Sequence, residues 1–288
     1  MVKIINQRRF ELSDLVDFLK PESYLIRKKR DEDFSSFVGK SFFKYKNGEL
    51  LFNIGKNEFV ILLEMKSDAM SEVFDFGKSL HERSFFNKHD SFTFYETEGP
   101  YEISNCYLRK GDYVVDAGAN LGLFSVLSGN IIGDSGKVFA FEPVSKTRNI
   151  LQQNIEINNV LNCKIIDFAL GNSNKDVEIF IDDNNLGASS IAIKNKNKKR
   201  KEAIKQIKLD DFVEQNQISK IDFIKADIEG AERDMLKGAE RTIKKFKPRI
   251  AICTYHLPDD PEVLGGILKE FVPEYNIVHK YKKIYAWI

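Results

Sequence analysis

Cysteine is scarce in this chain of 288 residues: Cys106, Cys163 and Cys253 are odd in number, widely spaced and never in a Cys-x-x-Cys pair. That argues against a disulfide framework or a zinc site and fits a reducing cytosol. An excess of either charge is also lacking. The 44 Lys and Arg against 43 Asp and Glu leave a net charge of +1, too balanced for bulk attraction to nucleic acid or to a membrane surface. No apolar run approaches the ~20 residues of a membrane span, and the first residues hold no apolar signal-type stretch. The expectation is a soluble, cytoplasmic protein without a membrane span. With 42% hydrophobic residues it can bury a sizeable core as one large or two small domains.

The stretch around which the chain is organised is Tyr113-Val-Val-Asp-Ala-Gly-Ala-Asn-Leu-Gly-Leu-Phe124. A short apolar run gives way at Gly118 and Gly122 to a helical apolar pattern, as at a ligand-binding loop that ends a parallel strand. A dinucleotide fingerprint needs glycines at i, i+2 and i+5, and here those positions after Gly118 are Asn120 and Leu123. What stands instead is Asp-x-Gly-x-Asn-x-Gly with Asp116 at the strand end. That carboxylate repels an anion and suits an amine or a sulfonium, and Gly118 lets a ligand lie against bare backbone. Glu142 follows 20 residues after Gly122 at the end of the next apolar strand, where a carboxylate can accept both hydroxyls of a ribose. Together these features describe S-adenosylmethionine.

Residues 1–92 read as a separate appendage for packing, dimerisation or a lid, and 93–288 as the catalytic domain. In the appendage, Leu12, Leu15, Val16 and Leu19 share one face of a short helix that Pro21 stops. Asn47-Gly48 signals a tight hairpin within residues 41–54, Phe59–Leu63 is a further strand, and Asp68–Leu80 a helix. From Thr93 strand and helix signals alternate, which implies a parallel sheet covered on both faces. The expected strands are Tyr113–Ala117, Lys137–Phe141, Cys163–Phe168, Ile221–Ala226 and Arg249–Tyr255. The expected helices are Leu121–Asn130, Ser145–Asn158, Ala231–Phe246 and Pro261–Phe271, and Tyr275–Lys280 with Lys283–Trp287 close the chain as an antiparallel hairpin. About 50 residues are inserted between the third and fourth strands; Asp176–Ile181 alternates like a strand, Ile207–Phe212 enters a helix at Asp210, and the basic tract Lys194–Lys201 reads as a solvated loop.

Ligands in such a sheet sit beyond the carboxyl ends of the strands. Those ends hold Asp116 to Asn120, Glu142, Asp167 with Phe168, then Lys225, Asp227 and Glu229, and finally Thr254 and His256. Asp167 is placed for an adenine amine and Phe168 for its ring. Transfer of a methyl group from a sulfonium is an in-line displacement, and effective molarities of ~10⁵–10⁸ M show how much alignment alone can supply. A positioned base adds ~10²–10⁴-fold when the acceptor is a hydroxyl. The candidates are His256, Asp227, Glu229 and Lys225, with His256 titrating nearest neutral pH. Asp227 can orient His256, bind the donor's amine or join Glu229 and His256 around Mg²⁺ or Mn²⁺; a site without metal is the expectation.

The segments GPYEI (Gly99–Ile103), VVDAGANLGLFS (Val114–Ser125), FAFEP (Phe139–Pro143) and IDFIKADIEGAE (Ile221–Glu232) resemble the FkbM family of methyltransferases over roughly residues 93–256. The resemblance implies a doubly wound α/β fold: a mostly parallel, seven-stranded Rossmann-like sheet with a C-terminal antiparallel hairpin, beside a small N-terminal α+β appendage. It also implies O-methylation by S-adenosylmethionine, with Asp116, Ala117, Gly118 and Asn120 around the methionine half and Glu142 and Pro143 at the ribose. Asp167 and Phe168 would then lie at the adenine, and Tyr101 and Glu102 would close the donor pocket. Family members often carry Glu-x-His after the fifth strand, where this chain has Thr254-Tyr255-His256. Ala226–Glu232 has no proline, unlike the Asn/Asp-Pro-Pro-aromatic turn of many N-methyltransferases. The expected acceptor is a small molecule or nucleotide sugar, a hydroxyl of a glycan precursor for bacterial surface polysaccharide, since the Lys-, Asn-, Ile- and Phe-rich composition suggests an AT-rich bacterial genome. A small natural product as acceptor, or a non-catalytic donor-binding protein, is the alternative reading. No aromatic interrupts Lys194–Lys208, which argues against RNA; a homodimer through the phenylalanines of the appendage is compatible with every version.

Overall fold

The computed structural model describes residues 42–46, 49–54, 57–61, 101–103, 105–181, 200–280 and 282–288. The helices expected around Leu12–Leu19 and over Asp68–Leu80, and residues 194–199 of the basic tract, lie outside them. Three antiparallel strands come first: β1 (Phe42–Lys46), β2 (Glu49–Ile54) and β3 (Asn57–Ile61). Lys46 pairs with Glu49 in the antiparallel register of β1 and β2, the pairing a hairpin at this place requires. The strand expected at Phe59–Leu63 begins two residues earlier.

The main sheet has seven strands: β4 (Tyr113–Ala117), β5 (Lys137–Phe141), β6 (Cys163–Ile166), β10 (Phe223–Ala226), β11 (Arg249–Cys253), β12 (Asn276–Lys280) and β13 (Lys283–Trp287). Their spatial order is β12-β13-β11-β10-β4-β5-β6, parallel throughout except that β13 runs antiparallel to both β11 and β12. Apolar side chains alternate between the two faces and enter two separate cores, for instance Val114 and Phe223 on one side and Val115 and Ile224 on the other. The order reverses at β4, between β5 and β10, which opens a crevice at their carboxyl ends. The helices α1 (Leu123–Ile132), α2 (Ser145–Ile157) and α6 (Asp260–Phe271) fall within one or two residues of their expected bounds. No helix of the described residues is long and apolar enough to cross a membrane.

Three expectations change. The third strand does not run to Phe168: it stops at Ile166, and Phe168–Leu170 is β7 of another sheet. That sheet, ordered β7-β9-β8, is built from the insertion, with β8 at Lys175–Ile181 and β9 at Arg200–Ile207. Arg200 and Lys201, read as part of a solvated loop, therefore start a strand; Lys201 meets Glu178 across it at 2.7 Å. The helix expected over Ala231–Phe246 is two, α4 (Glu232–Lys237) and α5 (Glu240–Phe246). At the break, a Cβ on Gly238 would stand 1.9 Å from the Gly171 carbonyl, so only glycine lets the β7 exit pass. The new N-terminus is capped by Asp210 of α3 (Leu209–Gln215), which accepts Arg241 N at 3.0 Å and Thr242 N at 2.7 Å.

Asn154 ties the small first sheet to the main one. It is fully buried on α2, accepts Val60 N at 2.6 Å, and donates to Leu121 O at 2.7 Å in the loop that follows β4. Replacing it with leucine would strand those backbone groups, at about 1–3 kcal/mol for an unsatisfied buried partner. Urea unfolding of Asn154→Leu should show a loss of that order at unchanged m-value; wild-type stability would refute the assignment.

Candidate active site

At the crevice, parallel register sets Asp116 of β4 beside Lys225 of β10, side chains on the same face. Lys225 Nζ lies 3.0 Å from Asp116 Oδ1 and donates to Gly118 O at 2.6 Å, while Ser125 Oγ donates to Asp116 Oδ2 at 2.6 Å. Asp116 is 0% exposed. Its charge is therefore met from within the chain, and it does not present a free carboxylate to a ligand as its place in the sequence suggests. Burial works to lower the Lys225 pKa, but Asp116 and Asp227 hold it above the usual value. Lys225 stays an ammonium, which removes it as a base.

Gly118 has a packing role as well. Its φ is +73°, and an added Cβ would stand 2.0 Å from the Asp227 carbonyl. The missing side chain lets the β4 and β10 exits touch. Asn120 follows in the left-handed region at φ 48°. Its N–H donates to Glu142 Oε2 at 2.9 Å, and Val144 N donates to Oε1 at 2.9 Å. Glu142, at the end of β5, is nearly buried, and that burial pushes its carboxyl up to about 7 despite the two N–H donors and nearby Lys225 and Arg148. Pro143 stands next to it, its carbonyl taken by Arg148 at 2.7 Å. Asp167 is exposed where β6 gives way to β7, and Phe168 is half-buried beside it.

The third group lies beyond β10 and β11. Tyr101 OH donates to Asp227 Oδ2 at 2.6 Å, and Tyr255 OH to Oδ1 at 3.2 Å. His256 faces three carboxylates: Nε2 is 3.5 Å from Asp227 Oδ1 and 3.6 Å from Glu229 Oε1, and Nδ1 is 3.0 Å from Glu232 Oε1. Burial would lower its pKa, but Glu229, Glu232 and Asp227 raise it to about 10. His256 thus holds its proton at neutral pH in the ligand-free protein, contrary to its expected role as free base. For Asp227, burial is outweighed by Lys225, His256 and Lys283, and its pKa is lowered. Glu102 is buried and accepts Leu108 N at 2.6 Å.

The structure therefore brings Tyr101, Asp116, Ala117, Gly118, Asn120, Glu142, Lys225, Asp227, Glu229 and His256 to one end of the sheet. Tyr255 and Glu232 join them without having been singled out in the sequence. Glu232 had a signal, three residues after Glu229 in Glu-Gly-Ala-Glu; Tyr255 had only its place beside His256.

Residues 116–281, more than half of the chain, match the methyltransferase FkbM domain, a span that begins and ends later than the segments read in the sequence. "Methyltransferase sdnD" of Sordaria araneosa is 28% identical over 188 residues, covering 55% of this chain and 71% of that protein. "Methyltransferase 1" of Beauveria bassiana (strain ARSEF 2860) is 25% identical over 160 residues, 48% of this chain and 64% of that one. A crystal structure of methyltransferase FkbM from Methylobacillus flagellatus KT aligns with a TM-score of 0.49 at 21% identity, over 75% of this chain and 53% of that one, so the match spans about half the length of that solved protein. The chain belongs to the FkbM methyltransferase family.

Proposed function

We propose that this protein transfers the methyl group of S-adenosylmethionine to a hydroxyl of a sugar, carried on a nucleotide-linked or glycan precursor. The observation that carries the donor assignment is Glu142: a buried carboxylate at the end of β5, fixed by Asn120 N and Val144 N, with one lone pair of each oxygen left for a ribose hydroxyl. The turn from Gly118 to Asn120 then takes the methionine half, and Asp167 with Phe168 takes the adenine. Asp116 acts through Lys225, which holds the carbonyls of that turn.

The acceptor belongs at the cluster of Asp227, Glu229 and His256. Its oxygen forms the new C–O bond while the C–S bond breaks and the electron pair stays on sulfur; the hydroxyl proton leaves into the cluster. Alignment of oxygen, carbon and sulfur supplies most of the acceleration. A hydroxyl suits this acid-lined mouth, and the family resemblance favours a sugar. Incubating the purified protein with methyl-labelled donor and a panel of nucleotide sugars should label at least one of them; transfer to small natural-product alcohols alone would replace the sugar assignment.

Glu142 also makes donor binding depend on pH. Ribose hydroxyls donate to the ionised carboxylate, so the product S-adenosylhomocysteine binds the deprotonated form. The free carboxyl titrates at about 7, so binding strengthens as pH rises through that value and a proton is released. Calorimetric Kd should fall about tenfold between pH 6 and pH 8. Glu142→Gln should bind more weakly at pH 8 and lose the pH dependence; an unchanged profile in that variant would remove Glu142 from the ribose site.

A further inference from the structure

We propose that Asp227, Glu229 and His256 form a divalent-cation site of the Mn²⁺ type, with Glu232 holding the histidine. The inference rests on the acceptor position argued above, and adds a cation there. One atom from each of the three residues lies within 4.8 Å of the others, the span of a common coordination sphere. An acidic cluster alone would be unremarkable on a protein surface. Here it contains an imidazole whose side chain is only 3% exposed and whose two ring nitrogens both lack a hydrogen bond, with Nε2 aimed between two carboxylates. Distances of 3.5 and 3.6 Å are too long for a good hydrogen bond and leave a gap on the ligand side.

A carboxylate stands beside the other ring nitrogen, where a metal-bound histidine commonly has one. Glu232, 0% exposed, stands 3.0 Å from Nδ1 and is itself fixed by Ile228 N at 2.9 Å. A carboxylate on one ring nitrogen keeps the proton there and turns the lone pair of the other toward the metal. Asp227 is braced likewise by Tyr101 and Tyr255. Two lysines lie nearby, and both lower the pKa of Asp227. Lys225 is engaged by Asp116 and Gly118, and Lys283 sits over the Tyr101 ring, 4.4 Å from its centre.

Two carboxylates and one imidazole suit a cation that accepts oxygen and nitrogen together, which favours Mn²⁺ over Ca²⁺. Three protein ligands leave coordination positions for a hydroxyl oxygen. Such a cation would supply Lewis acidity beside Asp227 and Glu229, so that an acceptor hydroxyl would lose its proton to the cluster more readily as its oxygen forms the C–O bond and the C–S bond breaks.

The test is a titration of chelator-stripped, full-length protein with Mn²⁺, free metal being read by electron paramagnetic resonance. One Mn²⁺ per chain is expected. His256→Ala and Glu229→Gln should each weaken binding at least about tenfold, and the positioning variant Glu232→Gln by about 10–100-fold. Glu229 is partly exposed, so its variant reads the site even where a buried substitution impairs folding. Absence of Mn²⁺ binding by the wild type, or equal affinity in all variants, would overturn the proposal. So would release of Mn²⁺ on adding S-adenosylhomocysteine, which would give the cluster to the donor's ammonium. Calorimetry with S-adenosylhomocysteine on the stripped protein separates the two readings: donor product bound without Mn²⁺ ever binding sinks the cation site alone, and Mn²⁺ bound with no donor product sinks the donor assignment alone.

Discussion

The buried contact between Asp116 and Lys225 is the constraint from which the rest of this site follows. It joins the ends of β4 and β10, the two strands that flank the reversal in sheet order, and it holds the carbonyl of Gly118 as well. Gly118 answers from the other strand by letting the Asp227 carbonyl come within a distance that no Cβ allows. Taking two charges out of water costs several kcal/mol per ion, and apolar pairs of equal volume are often as stable. The contact is thus better understood by what it places than by what it stabilises: a loop with fixed left-handed residues, and Asp227 at a fixed height above the sheet.

With Asp116 neutralised inside the fold, the carboxylates left to meet ligands fall into two groups. Glu142 stands on the β5 side, desolvated, its carboxyl pushed up to about 7. Asp227, Glu229 and Glu232 gather on the β10 side around one imidazole. On the proposed reading, the two groups would serve the two partners of a methyl transfer, a donor whose sugar needs an acceptor of hydrogen bonds and a second substrate whose hydroxyl must lose a proton. On that reading the environment of each acid, not its identity, would divide the work between them.

Much of this was legible in the sequence, and the reasons are local. β4, β5 and β11 are short β-branched and aromatic runs closed by turn residues, and their starts were set to the residue. The switch from strand to helix period after Gly118 located the crevice. What the sequence did not disclose depends on contacts far apart in the chain. The Asp116–Lys225 pair needs the register of two strands more than a hundred residues apart. The break at Gly238 needs Gly171, and the sheet β7-β9-β8 is held by pairing across a long insertion. The charge on His256 was misjudged for the same reason, since Glu229 and Glu232 reach it only after the chain turns between β10 and α4.

The central claim is that the cleft between β5 and β10 is shaped for S-adenosylmethionine, ribose on one side and methyl group toward the other. A crystal structure with S-adenosylhomocysteine bound tests it most directly. The account predicts both ribose hydroxyls on Glu142 and the sulfur facing Asp227 and His256. A ligand seated elsewhere, or a Glu142 carboxylate turned away from the ribose, would contradict it.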